Sequence, residues 1–510
     1  MKQFDVLIVG AGPTGLMAAN QLARFGIDFL IIDSKPCPTT QSRAIAVTAR
    51  SLEIYQQMGI SDTAIEQGRF IDEFSIFVRG KQKAHAVIGE FGKGLTDFSY
   101  LLAFEQSKNE ALLAKHLNGL GKDVTWNTQL EYIKQDGNGF VAGIKKVNEV
   151  NVETITATYV LGCDGAKSLV RHSFDFHFGG GTYDQLFYVA DTVIKWDQGN
   201  NKLVLCPTRN LFCGYFPLGG SNSHRIIGTI PKEIEDPATV TFDDLEDAIK
   251  KTTQFPMEIE KVNWFSVYKL HHRSVEAFNI GNCFLCGDAA HIHSPAGGQG
   301  MNTGLMDAYN LCWKLALVIN KRAEPALLNS YNEERLPFAK WLLKFTDRFF
   351  AVMTGRNFLM SWFRNNIVPP VLRFMVGRPK IRRLMFKTLS QTSWTYHKSS
   401  ISKNISSQKL KFKSGDRLPY VLTGEQQQSV YKLLTAPSFH VLAIGIDEPF
   451  DINDAMINTI QLPLNEWVEQ GVTAPLYILV RPDNYIGLIA DHLDQSTIND
   501  YLRECCCFKI

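Results

Sequence analysis

A strand that ends in three spaced glycines and opens a helix leaves few architectures available. Here the apolar run Phe4 to Val9, interrupted only by Asp5, passes directly into Gly10-Ala11-Gly12-Pro13-Thr14-Gly15 and then into a helical stretch from Leu16 to Phe25. That order is the one a dinucleotide-binding βαβ unit requires. Gly10 permits the tight turn, Gly12 lets the backbone approach a pyrophosphate, and Gly15 lets the helix lie close to the strand. The helix N-terminus then presents its free N–H groups, with Pro13 and Thr14 in the first turn, to the phosphates. The next apolar strand, Phe29 to Ile32, ends in Asp33, an acidic residue about twenty positions past the second glycine, where a ribose hydroxyl is held. Glycines that merely form a turn are the bland alternative, and the fingerprint alone does not separate FAD from NAD.

Two later stretches share the pattern. Asn282 to Leu285 is a strand that ends at Gly287-Asp288, and Ser294-Pro295-Ala296-Gly297-Gly298-Gln299-Gly300-Met301-Asn302 then makes a glycine-rich turn that opens a long helix. Asp288 at the strand end can accept from a ribityl hydroxyl. The stretch Gly297 to Asn302 exposes N–H groups at a helix start, where negative charge is favoured, and a reduced flavin carries its charge at the N1/O2 edge of the ring. The third stretch, Tyr159 to Gly162 with Cys163-Asp164-Gly165 and a helix to Arg171, is an ordinary turn when taken alone.

In combination these residues resemble the class A flavoprotein monooxygenases, the family of para-hydroxybenzoate hydroxylase, phenol hydroxylase and the aromatic polyketide hydroxylases. The resemblance covers nearly the whole chain. It implies that Asp164 and Gly165 serve both FAD and the nicotinamide cofactor, and that the segment from Asp288 through Pro295, Gly298, Gly300, Met301 and Asn302 holds the flavin. Ser42-Arg43-Ala44 resembles the segment whose arginine reaches the flavin, and Glu105-Gln106-Ser107 with Glu110 resembles the helix start whose glutamine touches FAD. Tyr331 to Pro337 resembles the close of the flavin domain. Asp33 with Ser34-Lys35 departs from the pattern, since many members have Glu then Arg, but the shorter carboxylate still reaches a ribose.

The expected fold is α/β, with a Rossmann-like FAD-binding domain, an interleaved β-sheet substrate domain and a C-terminal thioredoxin-like domain. The FAD-binding domain is read as residues 1–70, 104–177 and 270–340. The substrate sheet takes 71–103 and 178–269, a helical brace takes 341–404, and the thioredoxin-like module takes 405–510. That module is implied by likeness to the phenol hydroxylase branch. No Cys-x-x-Cys remains in it, so a packing or subunit-contact role is expected. A chain of 510 residues with 45% hydrophobic content is long enough for such a division.

A formal charge of +2 argues against a nucleic-acid partner. No apolar stretch reaches the length of a membrane span, but Phe349 to Val376 is rich in Phe, Met and Ile between arginines, which a membrane-surface helix would also be. The start lacks signal-peptide features, and a cytoplasmic protein is expected. The 10 cysteines do not form a secreted disulfide framework. Cys283 and Cys286 have redox spacing inside an apolar run, and Cys507 stands where a prenylation box would place it, although Lys509 departs from that box and a frayed tail is expected.

The resemblance implies a monooxygenase that takes electrons from NAD(P)H, with NADPH favoured, and oxygen from O2. It hydroxylates a small aromatic molecule, phenolic or polycyclic, through a flavin C4a-hydroperoxide. By analogy the enzyme is a homodimer. No catalytic base is identified. His291 and His293 lie close to the flavin motif, but as turn caps they are ordinary. Phe212, Tyr215 and Phe216 are candidate walls of a substrate cavity, or else sheet core. Baeyer–Villiger or epoxidising chemistry, drug inactivation, and a flavin-binding regulatory protein without turnover are the competing readings.

Overall fold

The computed structural model describes the chain apart from residues 42–43, 209–210, 232–233, 235–238, 295–297, 355–356, 447–451, 453 and 510, and apart from the side chains of residues 184, 349, 353 and 354. Four strands carry the site: β1 (Lys2–Val9), β2 (Phe29–Ile32), β3 (Glu153–Gly162) and β4 (Cys283–Leu285). They run parallel in the order β4-β3-β1-β2. A parallel strand covered on both faces reads as a continuous apolar run, and Val6 to Val9 are all buried accordingly. The hairpin Thr128–Asp136 and Gly139–Lys146 extends the sheet by antiparallel pairing with β3.

Helix α1 (Pro13–Arg24) starts with proline in its first turn and buries Leu16, Met17, Ala18, Ala19 and Leu22. It packs against α2 (Gln106–Gly119) and α3 (Gly300–Ile319). Helix α4 (Asn329–Thr354) runs on through Pro337 rather than stopping there. The lost backbone hydrogen bond is offset by the burial of Tyr331, Phe338, Ala339 and Leu342 on the same helix.

An eight-stranded sheet stands beside this domain. Its frame is two 19-residue strands, Phe178–Trp196 and Met257–Val275, paired antiparallel from Phe178 opposite Val275 to Trp196 opposite Met257. The short strand His291–Ile292, just past the Asp288 turn, pairs with Arg273 and Ser274, so the flavin-motif loop is stitched directly onto this sheet. The expected substrate-sheet segment near residue 100 behaves differently. Glu73–Val78 and Lys81–Val87 join the large sheet, but Leu101–Ala103 pairs with Ala46–Val47 and Arg69–Ile71 in a separate three-stranded sheet. The intervening residues are turns and bends that carry the chain away from the large sheet.

The C-terminal sheet has the order Lys403–Asn404, Ile486–Ala490, Leu476–Val480, Phe439–Ile444, Ile457–Leu462. Alternation along Phe439–Ile444 divides its faces: Phe439, Val441 and Ala443 join the core of the first domain, whereas Leu442 and Ile444 join a second cluster around Trp467. The tail is pinned rather than frayed. Phe508 is buried against Phe439, Cys507 O accepts from Glu324 N–H at 2.7 Å, and Lys509 N–H donates to Arg322 O at 2.9 Å. All ten cysteines are free thiols, and Cys283 and Cys286 are both buried.

Candidate functional site

The register of the parallel strands sets the site. Val9 lies beside Ile32 and beside Gly162, and Gly162 lies beside Leu285. The four strands therefore end at one level, and the turns that follow them open on one edge of the sheet. Gly10 has φ +100°, and a Cβ there would lie 2.4 Å from the Cys163 carbonyl oxygen and 2.9 Å from Asp164 Cα, so the first and third turns touch through glycine alone. A Cβ on Gly15 would lie 1.9 Å from Gly10 O, which presses α1 onto its own turn. Gly12 is the opposite case: nothing stands within 4 Å of its Cβ position. It caps α1 without a side-chain hydrogen bond, so open space lies in front of uncapped helix N–H groups.

Asp33 follows β2. Its Oδ2 accepts from Ala11 N–H at 2.7 Å and its Oδ1 from Lys35 N–H at 2.8 Å, which fixes the carboxylate beside the glycine turn. Ser34 is exposed next to it. Lys35 Nζ pairs with Glu110 Oε2 at 2.9 Å. Gln106, the first residue of α2, donates from Nε2 to Glu110 Oε1 at 3.0 Å and accepts from Ala44 N–H at 3.3 Å. Ala44 is thereby tied to α2. Arg43 itself, with Ser42, lies outside the described residues, as does Pro295 with Ala296 and Gly297.

Asp164 accepts from Val170 N–H at 3.2 Å through Oδ2, while its Oδ1 is buried without a hydrogen-bond partner among the described residues. Burial pushes its pKa up. Gly165, at φ +76°, completes this turn with open space at its Cβ position. Asp288 is exposed in the middle of the turn Gly287–Ala289. Thr14 wedges the turns together: its Oγ1 sits 2.6 Å from the Cβ position of Gly287 and 2.2 Å from that of Gly304 on α3.

Helix α3 begins at Gly300 with no side-chain cap from Gln299, whose Nε2 is buried without a hydrogen-bond partner among the described residues. Gly298 turns the chain into it at φ +65°. Met301 Sδ accepts from Asn109 Nδ2 at 3.2 Å. The Asn302 side chain has a structural duty of its own. Its Oδ1 accepts from Thr48 N–H at 2.9 Å and Ser51 Oγ at 2.7 Å, and its Nδ2 donates to Ala46 O and Gly298 O at 2.9 and 3.0 Å. The side chain is fully committed to tying Gly298 to residues 46–51, and only its backbone remains for a ligand.

A buried group to which the sequence alone assigns no role stands behind the Asp288 turn. Asp307 on α3 accepts from Gly287 N–H at 3.0 Å, from His291 Nε2 at 2.7 Å and from Arg335 Nε at 2.8 Å. Burial alone would raise its pKa, but Arg335 and His291 beside it hold it below the usual carboxylate range. His293 abuts Gly300, and burial drives its pKa down to about 4, so it is neutral near pH 7. The available signal was that His291 and Arg335 both fall inside motifs already singled out. Nothing in their spacing says that one carboxylate joins them.

The three aromatic residues of Phe212–Pro217 divide by face. Phe212 and Phe216 flank the Cβ position of Gly214 at 3.4 and 3.3 Å, and Phe216 packs toward Ile45 and Ala103 of the first domain. Tyr215 faces the other way. It is fully buried, with its hydroxyl 2.6 Å from Thr253 Oγ1 on the helix Asp243–Thr253, and is a core residue rather than a cavity wall.

Residues 3–346 match the family described as the FAD binding domain. The chain belongs to this family. Its cofactor is FAD, and the residues present fit that group: an open notch at Gly12, two uncapped helix starts and an orphaned buried oxygen on Asp164 meet at one edge. This FAD-binding chain is similar to 6-methylpretetramide 4-monooxygenase of Streptomyces rimosus, 35% identical over 356 residues that cover 69% of this chain and 63% of that protein. It is similar also to pentachlorophenol 4-monooxygenase of Sphingobium chlorophenolicum, 32% identical over 367 residues, 69% of this chain and 65% of that one. The matches thus span under two thirds of either relative. The solved structure of OxyS, an anhydrotetracycline hydroxylase from Streptomyces rimosus, resembles this FAD-binding fold over 99% of both chains, with a TM-score of 0.77 and 25% identity.

Proposed function

We propose that this flavoprotein is a monooxygenase that uses NAD(P)H, with NADPH preferred, and O2 to hydroxylate an aromatic small molecule, phenolic or polycyclic. The observation that carries the reading is the meeting of four strand-end turns at one sheet edge, joined to the large mixed sheet by the pairing of His291–Ile292 with Arg273 and Ser274. The names of the two relatives, a 6-methylpretetramide 4-monooxygenase and a pentachlorophenol 4-monooxygenase, support the substrate class.

Bound FAD supplies the hydride acceptor and the activation of oxygen. The chain has to bind, orient and keep dry. The first turn of α1, with Gly12 set back, donates N–H groups to the pyrophosphate. Asp33, immobilised by Ala11 and Lys35, accepts from the ribose, and Asp164 and Asp288 accept from hydroxyls along the chain that leads to the ring. The α3 start at Gly300 to Asn302 stabilises negative charge on the ring edge. Phe216, with Phe212 across the Gly214 notch, forms an apolar wall that excludes water. His291 is held by Asp307 and positions the Asp288 turn. It has no proton-transfer role in this scheme.

The same reading assigns residues 1–70, 104–177 and 270–340 to FAD, 71–103 and 178–269 to substrate, with Leu101–Ala103 paired outside the large sheet, and 341–404 to a brace. It takes 405–510 as a thioredoxin-like module, and it places a homodimer in the cytoplasm. The C-terminal strand order supports the module: Phe439–Ile444 and Ile457–Leu462 are parallel, and Leu476–Val480 and Ile486–Ala490 form an antiparallel pair before the closing helix Gln495–Glu504. The test is NADPH oxidation by the purified flavoprotein with a panel of phenols and polycyclic aromatics under isotope-labelled dioxygen. Substrate-stimulated oxidation with one labelled oxygen in the product is expected. Turnover that proceeds equally well without oxygen would refute it.

A further inference from the structure

Three short helices after α4 carry a surface that the flavin chemistry does not use. Phe358–Asn366, Val368–Val376 and Pro379–Leu389 follow one another and pack in sequence, the middle one against the edge of the large sheet through Leu372. Their outer sides are apolar to an unusual degree. Leu359 is 76% exposed, Phe358 64%, Leu384 62%, Phe374 59% and Trp362 51%. Exposed apolar residues are ordinary when scattered, but five large ones on consecutive helices make a patch that needs a partner.

The charge on these helices has one sign. Within residues 357–389 they carry seven Lys and Arg residues and no Asp or Glu, although the chain's total charge is only +2. The rest of the molecule is therefore net negative. Arg373, Arg378, Lys380 and Arg383 are exposed on the same helices, and the Arg378 guanidinium lies 4.3 Å over the Phe374 ring, an apolar stem with its charge held at the rim. Among the described residues no helix is long and apolar enough to cross a membrane. Short helices with a protruding apolar side and a basic border are instead the form that lies in a lipid headgroup layer.

We propose that this face docks on the surface of an anionic lipid bilayer, with Leu359, Trp362 and Phe374 entering the headgroup region and the arginines on lipid phosphates. The absence of acidic residues on these helices selects this occupant over a second copy of the chain. A two-fold contact would set the patch against itself and bring like charges together. The inference stands apart from the proposed reaction, because none of these residues belongs to the FAD edge.

The test is co-sedimentation of the purified flavoprotein with vesicles of equal parts phosphatidylglycerol and phosphatidylcholine, against vesicles of phosphatidylcholine alone. Binding to the anionic vesicles only, weakened by high salt, is expected. Two double variants should each weaken binding about tenfold or more, one apolar (Leu359→Ser with Trp362→Ser) and one charge-reversed (Arg378→Glu with Arg383→Glu). Both should retain the bound-flavin absorbance, which establishes that they are folded. The proposal is overturned if the wild-type protein stays in the supernatant with anionic vesicles. It is equally overturned if either double variant sediments like the wild type, or if the apolar variant instead abolishes a concentration-dependent dimer.

Discussion

Helix α3 passes between two polar neighbourhoods that have been resolved in opposite ways. At its first turn, Gln299 Nε2 and, across the sheet edge, Asp164 Oδ1 are buried without partners among the described residues, and neither α3 nor α1 has a side-chain cap. Three turns further on, Lys314 Nζ meets Glu334 Oε2 at 2.7 Å, Arg481 bridges Glu334 and Asp483 at 2.6 and 2.5 Å, and Asn310 donates to Glu334 at 2.7 Å. Two cations and two carboxylates, all inaccessible to water, form a neutral knot that ties α3, α4 and the C-terminal module. Unmet hydrogen-bonding capacity at a buried edge marks a place for a ligand, and complete satisfaction marks a joint.

Breaking the joint should have the largest effect. Glu334→Gln leaves Lys314 and Arg481 with one carboxylate between them and should cost about 3–5 kcal/mol in denaturant unfolding, while the FAD affinity of the molecules that remain folded is unchanged. If FAD affinity fell with stability, the two neighbourhoods would be one unit.

Acid should act next. Burial lowers both His293 and His440 to about 4, against an unfolded value near 6.5. The unfolded chain takes up these protons first, so their contribution is fully present above about pH 6.5 and lost as pH falls toward 4. For His440, which is 2% exposed, the slope is about 1.4 kcal/mol per pH unit inside that window. His440→Phe should flatten the acid limb of the stability profile, and an unchanged limb would contradict the assignment.

Gly12→Ala sharpens the contrast from the ligand side. Its φ of −75° suits any residue and its Cβ position is open, so the apoprotein should unfold at the same urea concentration or slightly above. FAD affinity should fall about tenfold, roughly 1.4 kcal/mol, because the added methyl occupies the notch. The smallest effect belongs to the sheet. Tyr215→Phe should cost about 1 kcal/mol of stability through the lost Thr253 hydrogen bond and leave KM for the aromatic substrate unchanged, whereas Phe216→Ala should raise KM.

The turns of the flavin edge were legible in the sequence because each is local: a strand, glycines at fixed offsets and a helix fall within a dozen residues. The joint was not. Lys314 and Glu334 are twenty residues apart in the chain, and Arg481 comes from a hairpin 147 positions beyond Glu334. Asp307 has no role legible in the sequence, because an acidic residue inside a helical run reads as surface until His291 and Arg335 are folded onto it. Tyr215 and Phe216 are neighbours in sequence yet face opposite sides of one strand, and only the position of the helix Asp243–Thr253 decides which side is core. The sequence points to the backbone of Asn302 at the helix start, but its side-chain clamp onto Ala46, Thr48 and Ser51 is invisible because those residues lie about 250 positions away. Leu101–Ala103 was placed in the wrong sheet, since period-two alternation says that a strand exists and not where it pairs.

The most direct test of the flavin edge is titration of the stripped apoprotein with FAD, followed by the visible absorbance retained after gel filtration, for the wild type and Gly12→Ala side by side. The wild type should retain one flavin per chain, and Gly12→Ala should retain far less at equal stability. A wild-type protein that emerges colourless after saturation with FAD would contradict the account at its base.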